Sequence, residues 1–519
     1  MRHKKIYLTA PQDPAYGSRR QFLGYSGAIV GASILAPLYS RRANAQSVSF
    51  DYYISSTGSD SNPGTQASPW ALTAINTKRS TYAGKRVGVL PGTYNCLSLV
   101  GGSYGSSFST PAFSIAGGNS GARTVIQSTT PRGAILDAGA NASNNSAGQP
   151  LIGALGGSGY FTVDGFEIKN CFNRSISVGY QTGASNPPAR LAGITVQNCY
   201  IHAMTNTIAA ANTTAITLYS CDGALVQNNY ITDISDTTSR GTGIEIWTSV
   251  NCITQFNTVI SKSSQHTGGI SHKNVAQQNN TICYNYIDMS AAGSSQISAV
   301  GGDCDGGSST SFTINNNIVI ADQAAEPALI DTGQYPSSLA NQRWFSNTFV
   351  GIPGNSVGCW VRFGAPGTIS FYNNIISRTN TGGRGDVNTN ASALKLIDYN
   401  CYPSSPKLGL TPNGSSGYPS SLLSSVATWA LELLGNVTGK DAHSLAGSPS
   451  FMATGSGPGY YELQSDSPCK GKGSTNGASN GSATDMGAWG NGATQIGCSF
   501  APGATTLIAP DPPKIISVS

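Results

Sequence analysis

Asn229-Tyr230-Ile231 decides the fold, because its pattern, an Asn, any residue and then an apolar residue, returns along the middle of the chain. It recurs as Asn257-Thr258-Val259, Asn285-Tyr286-Ile287, Asn316-Asn317-Ile318, Asn347-Thr348-Phe349 and Asn373-Asn374-Ile375, at spacings of 28, 28, 31, 31 and 26 residues. Asn198-Cys199-Tyr200-Ile201 and the stretch from Phe161 to Ile168 continue it upstream with slight slippage. Units this short cannot bury an apolar face alone, so they must stack into a solenoid. The segments alternate with period two, are rich in β-branched residues and break at Gly, Asn and Ser, which argues against a helical solenoid. An all-β chain follows: a single parallel β-helix of about 8 to 10 coils. The recurring Asn residues are read as a structural ladder of amides, one per coil at the ~4.8 Å interstrand spacing, with no part in catalysis.

Composition agrees. Gly accounts for 63 of 519 residues and charged residues for 10%, against roughly 25% in ordinary soluble domains. The positive charge sits at the N-terminus. Ser18-Arg19-Arg20-Gln21-Phe22-Leu23, an apolar run from Gly24 to Leu38, Arg41-Arg42 and Ala43-Asn44-Ala45 follow one another as the parts of a twin-arginine signal peptide over residues 1–45. About fifteen apolar residues are too few to span a membrane. Without residues 1–45 the chain has 22 Lys/Arg and 23 Asp/Glu, so its charge offers no case for nucleic acid. The expected product is periplasmic or extracellular, free of the membrane after signal cleavage, and a monomer. Residues 46–498 form the β-helix, including a C-terminal cap from about residue 415 with one helix at Ser420 to Leu434, and residues 499–519 form a Pro-rich tail or linker stub. The eleven cysteines contain no C-x-x-C pair. Cys199 and Cys283 read as small buried hydrophobes, while Cys221 and Cys252, 31 residues apart, could meet on adjacent coils as a disulfide.

Each coil has a further strand twelve to fifteen residues after its Asn. Apolar alternation aligns Ile216 to Tyr219, Ile244 to Trp247, Ile270 to Lys273, Ile297 to Val300 and Cys359 to Arg362. With the Ile positions inward, Tyr219, Glu245, Trp247, Lys273, Trp360 and Arg362 fall on one outer face. Aromatic rings beside hydrogen-bonding groups suit the faces of sugars, so Trp247, Trp360, Tyr219, Arg362, Arg240 and His266 are candidate polysaccharide contacts. Lys273 is the candidate base, and His272 joins it only if Gly268-Gly269 opens a bulge that reverses its side. Glu245, Asp233 and Asp236 are candidate oxygen ligands for Ca²⁺, which takes several such ligands. No organic cofactor is implied. Asp303 and Asp305 in "GGDCDGG" (301–307) would stand ~6.6 Å apart if extended, close to the spacing of an acid and base in an inverting glycosidase.

Tyr52-Tyr53-Ile54-Ser55 with Thr57 to Thr65, Leu90-Pro91-Gly92-Thr93-Tyr94, Asp441-Ala442-His443-Ser444-Leu445 and Asp485-Met486-Gly487-Ala488-Trp489 resemble the opening coil and closing segment of the secreted right-handed parallel β-helix proteins of the pectate-lyase-like superfamily. The resemblance spans residues 50 to 490 and implies a right-handed coil and a carbohydrate-active function. That superfamily includes lyases, hydrolases, epimerases and non-catalytic adhesins. In its alginate-lyase and chondroitinase-B branch a catalytic Lys is followed one coil on by an Arg-His-Gly phrase. Here Trp247 and Ser271-His272-Lys273-Asn274 stand at those places, so no branch is assigned. The function expected is cleavage of a polysaccharide by β-elimination at a uronate, with a glycoside hydrolase and a non-catalytic glycan binder as alternatives. His443 reads as part of a capping turn.

Overall fold

The computed structural model describes residues 49–105, 110–154, 158–179, 189–208, 213–238, 241–263, 266–273, 278–291, 300–303, 311–321, 339–351, 359–363, 367–378, 385–390, 394–411, 421–433, 437–452, 457–474, 483–490 and 492–502. Residues 1–45, expected to be a signal peptide, lie outside them. Two twelve-stranded sheets run the length of the molecule: sheet I from Tyr52–Ile54 to Leu394–Asp398, and sheet II from Gly92–Asn95 to Leu445–Ala446. Sheet III has seven strands, from Phe113–Ser114 to Val300–Asp303. A three-stranded sheet of Cys359–Phe363, Gly385–Asn390 and Leu408–Thr411 occupies the corresponding part of later coils. Strands within these sheets pair in parallel with partners about thirty residues away, as a parallel β-helix requires. The stack is taller than the 8 to 10 coils expected, because its first and last rungs lack the Asn phrase by which coils were counted.

Identical positions in successive rungs stack into the core. In sheet I, Val163, Val196, Val226, Thr254, Ile282, Ile314, Trp344, Phe371 and Ile397 lie in one column. In sheet II, Ile168, Ile201, Ile231, Val259, Ile287, Val319, Phe349 and Ile376 do the same. All are buried. Burial of this continuous apolar column is the main stabilising contribution, at about 25 cal/mol per Å² removed from water.

The corner between sheets I and II explains the Asn phrase. Asn198, Asn228, Phe256, Tyr284, Asn316, Ser346, Asn373 and Tyr399 all have φ between 50° and 58°, a left-handed conformation disfavoured for residues with a Cβ. The next residue turns inward. Asn229, Asn257, Asn285, Asn317, Asn347, Asn374 and Asn400 form the ladder, each fully buried. From Asn229 to Asn374, the side-chain oxygen of the following Asn accepts from both the backbone N–H and the Nδ2 of the one before, at 2.9 to 3.2 Å. The ladder begins at Cys199, whose N–H donates to Asn229. Asn316 and Asn373, read from sequence as rungs, are instead the left-handed turn residues, and Asn317 and Asn374 are the rungs. Asn suits both places, being tolerant of the left-handed region and able to stack amides.

On the neighbouring edge of sheet I, Asn279 has φ 53° and is exposed, with its Nδ2 on Asn251 Oδ1 at 3.3 Å. Asn279→Gly is expected to change stability by less than about 0.5 kcal/mol, since glycine accepts this backbone without strain. Urea unfolding checks it.

The helix of the cap is shorter than the Ser420 to Leu434 expected. It is Val426–Glu432, with the Ser425 side chain accepting from Thr428 N–H. Beyond it the chain turns back as a strap along sheets I and II. Asn373 Nδ2 donates to Ser474 O, whose residue's N–H returns a bond to Asn373 Oδ1. Asn316 Nδ2 donates to the carbonyls of Ala488 and Gly490, and Asn228 Oδ1 accepts from Ser499 N–H. The turn-position Asn side chains thus seat the strap. Phe500 is buried, with the Arg132 guanidinium 3.8 Å from its ring centre, so residues 499 and 500 belong to the folded body rather than to a tail.

Candidate functional site

Sheet III carries the candidate site, and from Ile216 to Lys273 its register is the one expected from the Ile alternation. Ile176, Ile216, Ile244 and Ile270 are aligned, and so are Tyr219, Trp247, Lys273 and Asp303 on four successive strands. Ile216, Leu218, Ile244 and Ile246 fill the core with no exposure, so Tyr219, Glu245 and Trp247, of opposite parity, lie on the outer side. Alternation breaks once upstream. Ala215 and Ile216 are both core residues, and Gly243 belongs to the same break, since a Cβ there would meet Val259 Cγ1 at 2.6 Å. The break returns Thr214 to the outer side, where its hydroxyl donates to Glu245 Oε2 at 3.1 Å.

Glu245 is the centre of a buried polar cluster. Its Oε2 also accepts from Trp247 Nε1 at 3.3 Å, and its residue is 1% exposed. The Trp247 ring lies 5.6 Å from Tyr219, whose other neighbour, the Arg174 guanidinium, is 5.8 Å from its ring centre. Burial pushes the Tyr219 phenol up to about 12; Arg174 pulls it down and Glu245 pushes it up. Tyr219 is therefore a neutral phenol across the working range of most enzymes. Glu245→Ala would take this acceptor from the buried Thr214 hydroxyl and the half-buried Trp247 Nε1 and is expected to cost about 2–4 kcal/mol. Glu245→Gln keeps an oxygen for both and is expected to cost about 1 kcal/mol. Urea denaturation of the two variants tests the assignment.

Several expectations are corrected. Tyr219, 4% exposed, is not an open platform for a sugar, because Arg174 and Trp247 pack over it; Trp247 alone of the described aromatic pair is half-exposed. Cys221 and Cys252 are free, buried thiols, not a disulfide; each donates to the carbonyl two residues back in its own strand segment. Asp236 does not present a carboxylate to a cation. Its Oδ2 accepts from Asn206 Nδ2 and from the N–H and hydroxyl of Thr213, and its Oδ1 from the N–H and hydroxyl of Thr238. Asp233 is an exposed residue with φ 58°. Among the described residues no three His, Cys, Asp or Glu side chains gather as a metal site.

Val300, not Ile297, stands opposite Ile270, so the alignment of that coil moves by three residues and brings Asp303 opposite Lys273. The irregularity next to the Gly pair falls between His266 and Gly268, opposite Gly241 and Thr242. It leaves His272 in register with the core residue Ile246. Trp360 and Arg362 lie in the strand Cys359–Phe363 of the three-stranded sheet, with Arg362 opposite Asn388. His266 begins the strand His266–Lys273. Arg240 and Asp305 lie outside the described residues. The sequence reading missed Arg174 and Thr214. Their contacts to Tyr219 and Glu245 cross between strands, with a signal only in a register that includes the break at Ala215.

His443 is part of the cap, as expected. Its Nδ1 and N–H both bond the Asp398 carboxylate at 2.8 Å, and its ring stacks on Tyr399 at 4.7 Å.

No family model and no curated protein matches the chain. Solved structures do. Pectate lyase Pel9A is 14% identical with a TM-score of 0.45, over 84% of this chain and 95% of that one. A rhamnogalacturonan lyase is 13% identical with a TM-score of 0.42, over 65% and 84%. The A-module of the mannuronan C-5 epimerase AlgE6 of Azotobacter vinelandii is 10% identical with a TM-score of 0.33, over 73% and 94%. The chain's own parallel sheets and their common register make it a parallel β-helix.

Proposed function

We propose that the protein is an exported carbohydrate-active enzyme that cleaves a uronate-containing polysaccharide by β-elimination, with the outer side of sheet III as its substrate face. One observation carries the reading: the column Tyr219, Trp247, Lys273, Asp303, which sets an aromatic pair, a base and an acid at one position of four successive strands. β-Elimination needs a base for the proton at C5 of the uronate and positive charge to stabilise the carboxylate as that proton leaves; the C4=C5 double bond then forms as the C4–O bond breaks, and the departing oxygen takes up a proton. Lys273 is proposed as the base. Arg240 and Arg362 are proposed to pair with uronate carboxylates along the chain of sugars, and Trp247 to offer a ring face. No step is assigned to a metal ion.

The test is a panel of uronate-rich and neutral polysaccharides, followed by ultraviolet absorbance for the unsaturated product and by reducing ends. Lys273→Met is expected to lower the rate of unsaturated product by about 10²–10⁴-fold while leaving the circular dichroism unchanged. Reducing ends without ultraviolet absorbance would replace the lyase with a hydrolase using Asp303 and Asp305. Binding with neither product would leave a glycan-binding β-helix.

A further inference from the structure

Cys401 and Cys469 are 68 residues apart in sequence and meet where the strap crosses sheet II. Cys401 opens the strand Cys401–Tyr402, in register with Ile375 in the rung before. Its N–H donates to Asn374 O at 2.8 Å. Cys469 is held by the strap: its N–H donates to Ser467 Oγ at 3.2 Å, and its carbonyl accepts from Met486 N–H at 3.0 Å. Ile375, Cys401, Cys469 and Met486 pack as one separate cluster, and neither cysteine is exposed. Both are free thiols in this structure, with Cys401 Sγ 3.9 Å from Gly447 O; the neighbouring Cys469 thiol, with burial, pushes the Cys401 thiol well up. The other coil cysteines differ. Cys199, Cys221 and Cys252 turn their thiols to the carbonyl two residues earlier in their own segment.

We propose that Cys401 and Cys469 form a disulfide that fastens the returning strap to the last rungs of the β-helix. Both backbones are held by hydrogen bonds at the contact. The disulfide would close a loop containing the cap helix and the Asp441 turn, restricting the unfolded chain. The oxidant is a low-molecular-weight disulfide such as glutathione disulfide. One cysteine thiolate attacks it and releases one glutathione thiol, leaving a mixed disulfide. The second cysteine attacks that bond and releases the other thiol. The two cysteines are oxidised, one disulfide is reduced, and their two protons end on the two glutathione thiols. Because the seated thiols are both buried, exchange takes place before the strap seats or when it lifts.

The full chain, unfolded and refolded in a mixture of oxidised and reduced glutathione, is alkylated under denaturing conditions and digested without reductant. The expected result is a Cys401–Cys469 linked peptide pair, lost on treatment with dithiothreitol, with Cys199, Cys221 and Cys252 recovered alkylated. In oxidising buffer Cys469→Ser is expected to unfold at lower urea than wild type, and the difference is expected to shrink in reductant. Recovery of Cys401 and Cys469 as alkylated thiols, or linkage of either to another cysteine, overturns the proposal. So does an equal urea midpoint for wild type and Cys469→Ser in oxidising buffer. If that variant does not fold, the wild-type peptide map decides alone.

Discussion

Asn285→Leu is expected to destabilise the protein by about 3–5 kcal/mol, although it adds apolar volume to a fully buried site. Asn285 accepts twice, from the N–H and Nδ2 of Asn257, and donates Nδ2 to Thr254 O and Asn317 Oδ1, all within 3.0 Å. Leucine leaves the Asn257 N–H buried without that acceptor and opens the ladder at its middle. The Asn257 amide retains the carbonyls of Val226 and Gln255, which keeps the cost below the sum of four bonds. The adjoining turn makes the loss larger than that of a single buried pair. Tyr284 is held at φ 56° directly before the ladder residue, a conformation that costs about 1–2 kcal/mol for a residue with a Cβ. Its ring stacks on Phe256, also left-handed, at 5.2 Å. Without the amide, two strained aromatic turns lose the contact that holds the corner closed. Urea unfolding by circular dichroism measures the change. A loss below about 1 kcal/mol, the value of one ordinary hydrogen bond, would show the ladder to be incidental. Asn279→Gly, at an exposed turn of the same coil, supplies the contrast.

The same corner shows what could be read from the residues and what could not. The repeat was legible because stacked rungs demand the same chemistry at each recurrence, here an Asn every 26 to 31 residues. The exact rung was not legible in Asn315-Asn316-Asn317 or Asn373-Asn374, where adjacent positions both favour Asn for different reasons. The strap's closing phrase, Asp485 to Trp489, was legible as a resemblance, but its path along the sheets was not. The strap is aperiodic and is held through its backbone by Asn228, Asn316 and Asn373, so its own side chains carry little signal. In the candidate site, the alignment of Tyr219, Trp247 and Lys273 followed from Ile alternation alone. The burial of Glu245 and Tyr219 did not, because Thr214 and Arg174 reach them only through a break in that alternation. Strand parity predicts which side a residue takes; it does not predict what covers that side.

Asp441→Ala is expected to cost about 4–6 kcal/mol and Asp441→Asn about 3 kcal/mol, because Asp441 closes the ladder at its far end. Its carboxylate meets four donors: Asn400 Nδ2 at 3.2 Å, the Ser444 hydroxyl, the Tyr402 hydroxyl at 2.9 Å and Trp429 Nε1 at 2.8 Å. Alanine leaves all four without this acceptor in a buried site. Asparagine keeps one oxygen but turns an NH₂ toward two of them. The ionisation of Asp441 gives the test a second readout. Burial pushes its carboxyl from 3.8 up to about 6, against the pull of the four donors. Between those values the folded chain keeps a proton that the unfolded chain has released. The contribution of this group to stability is therefore complete below pH 3.8 and lost as pH rises through 6, a change of about 3 kcal/mol. Urea unfolding of wild type and Asp441→Asn across this range isolates it, since other carboxylates titrate in both. The gap between the two proteins is expected to narrow from pH 4 to pH 7. A gap that stays constant would mean that Asp441 ionises alike in both states, and a gap that widens would mean that the donors outweigh burial.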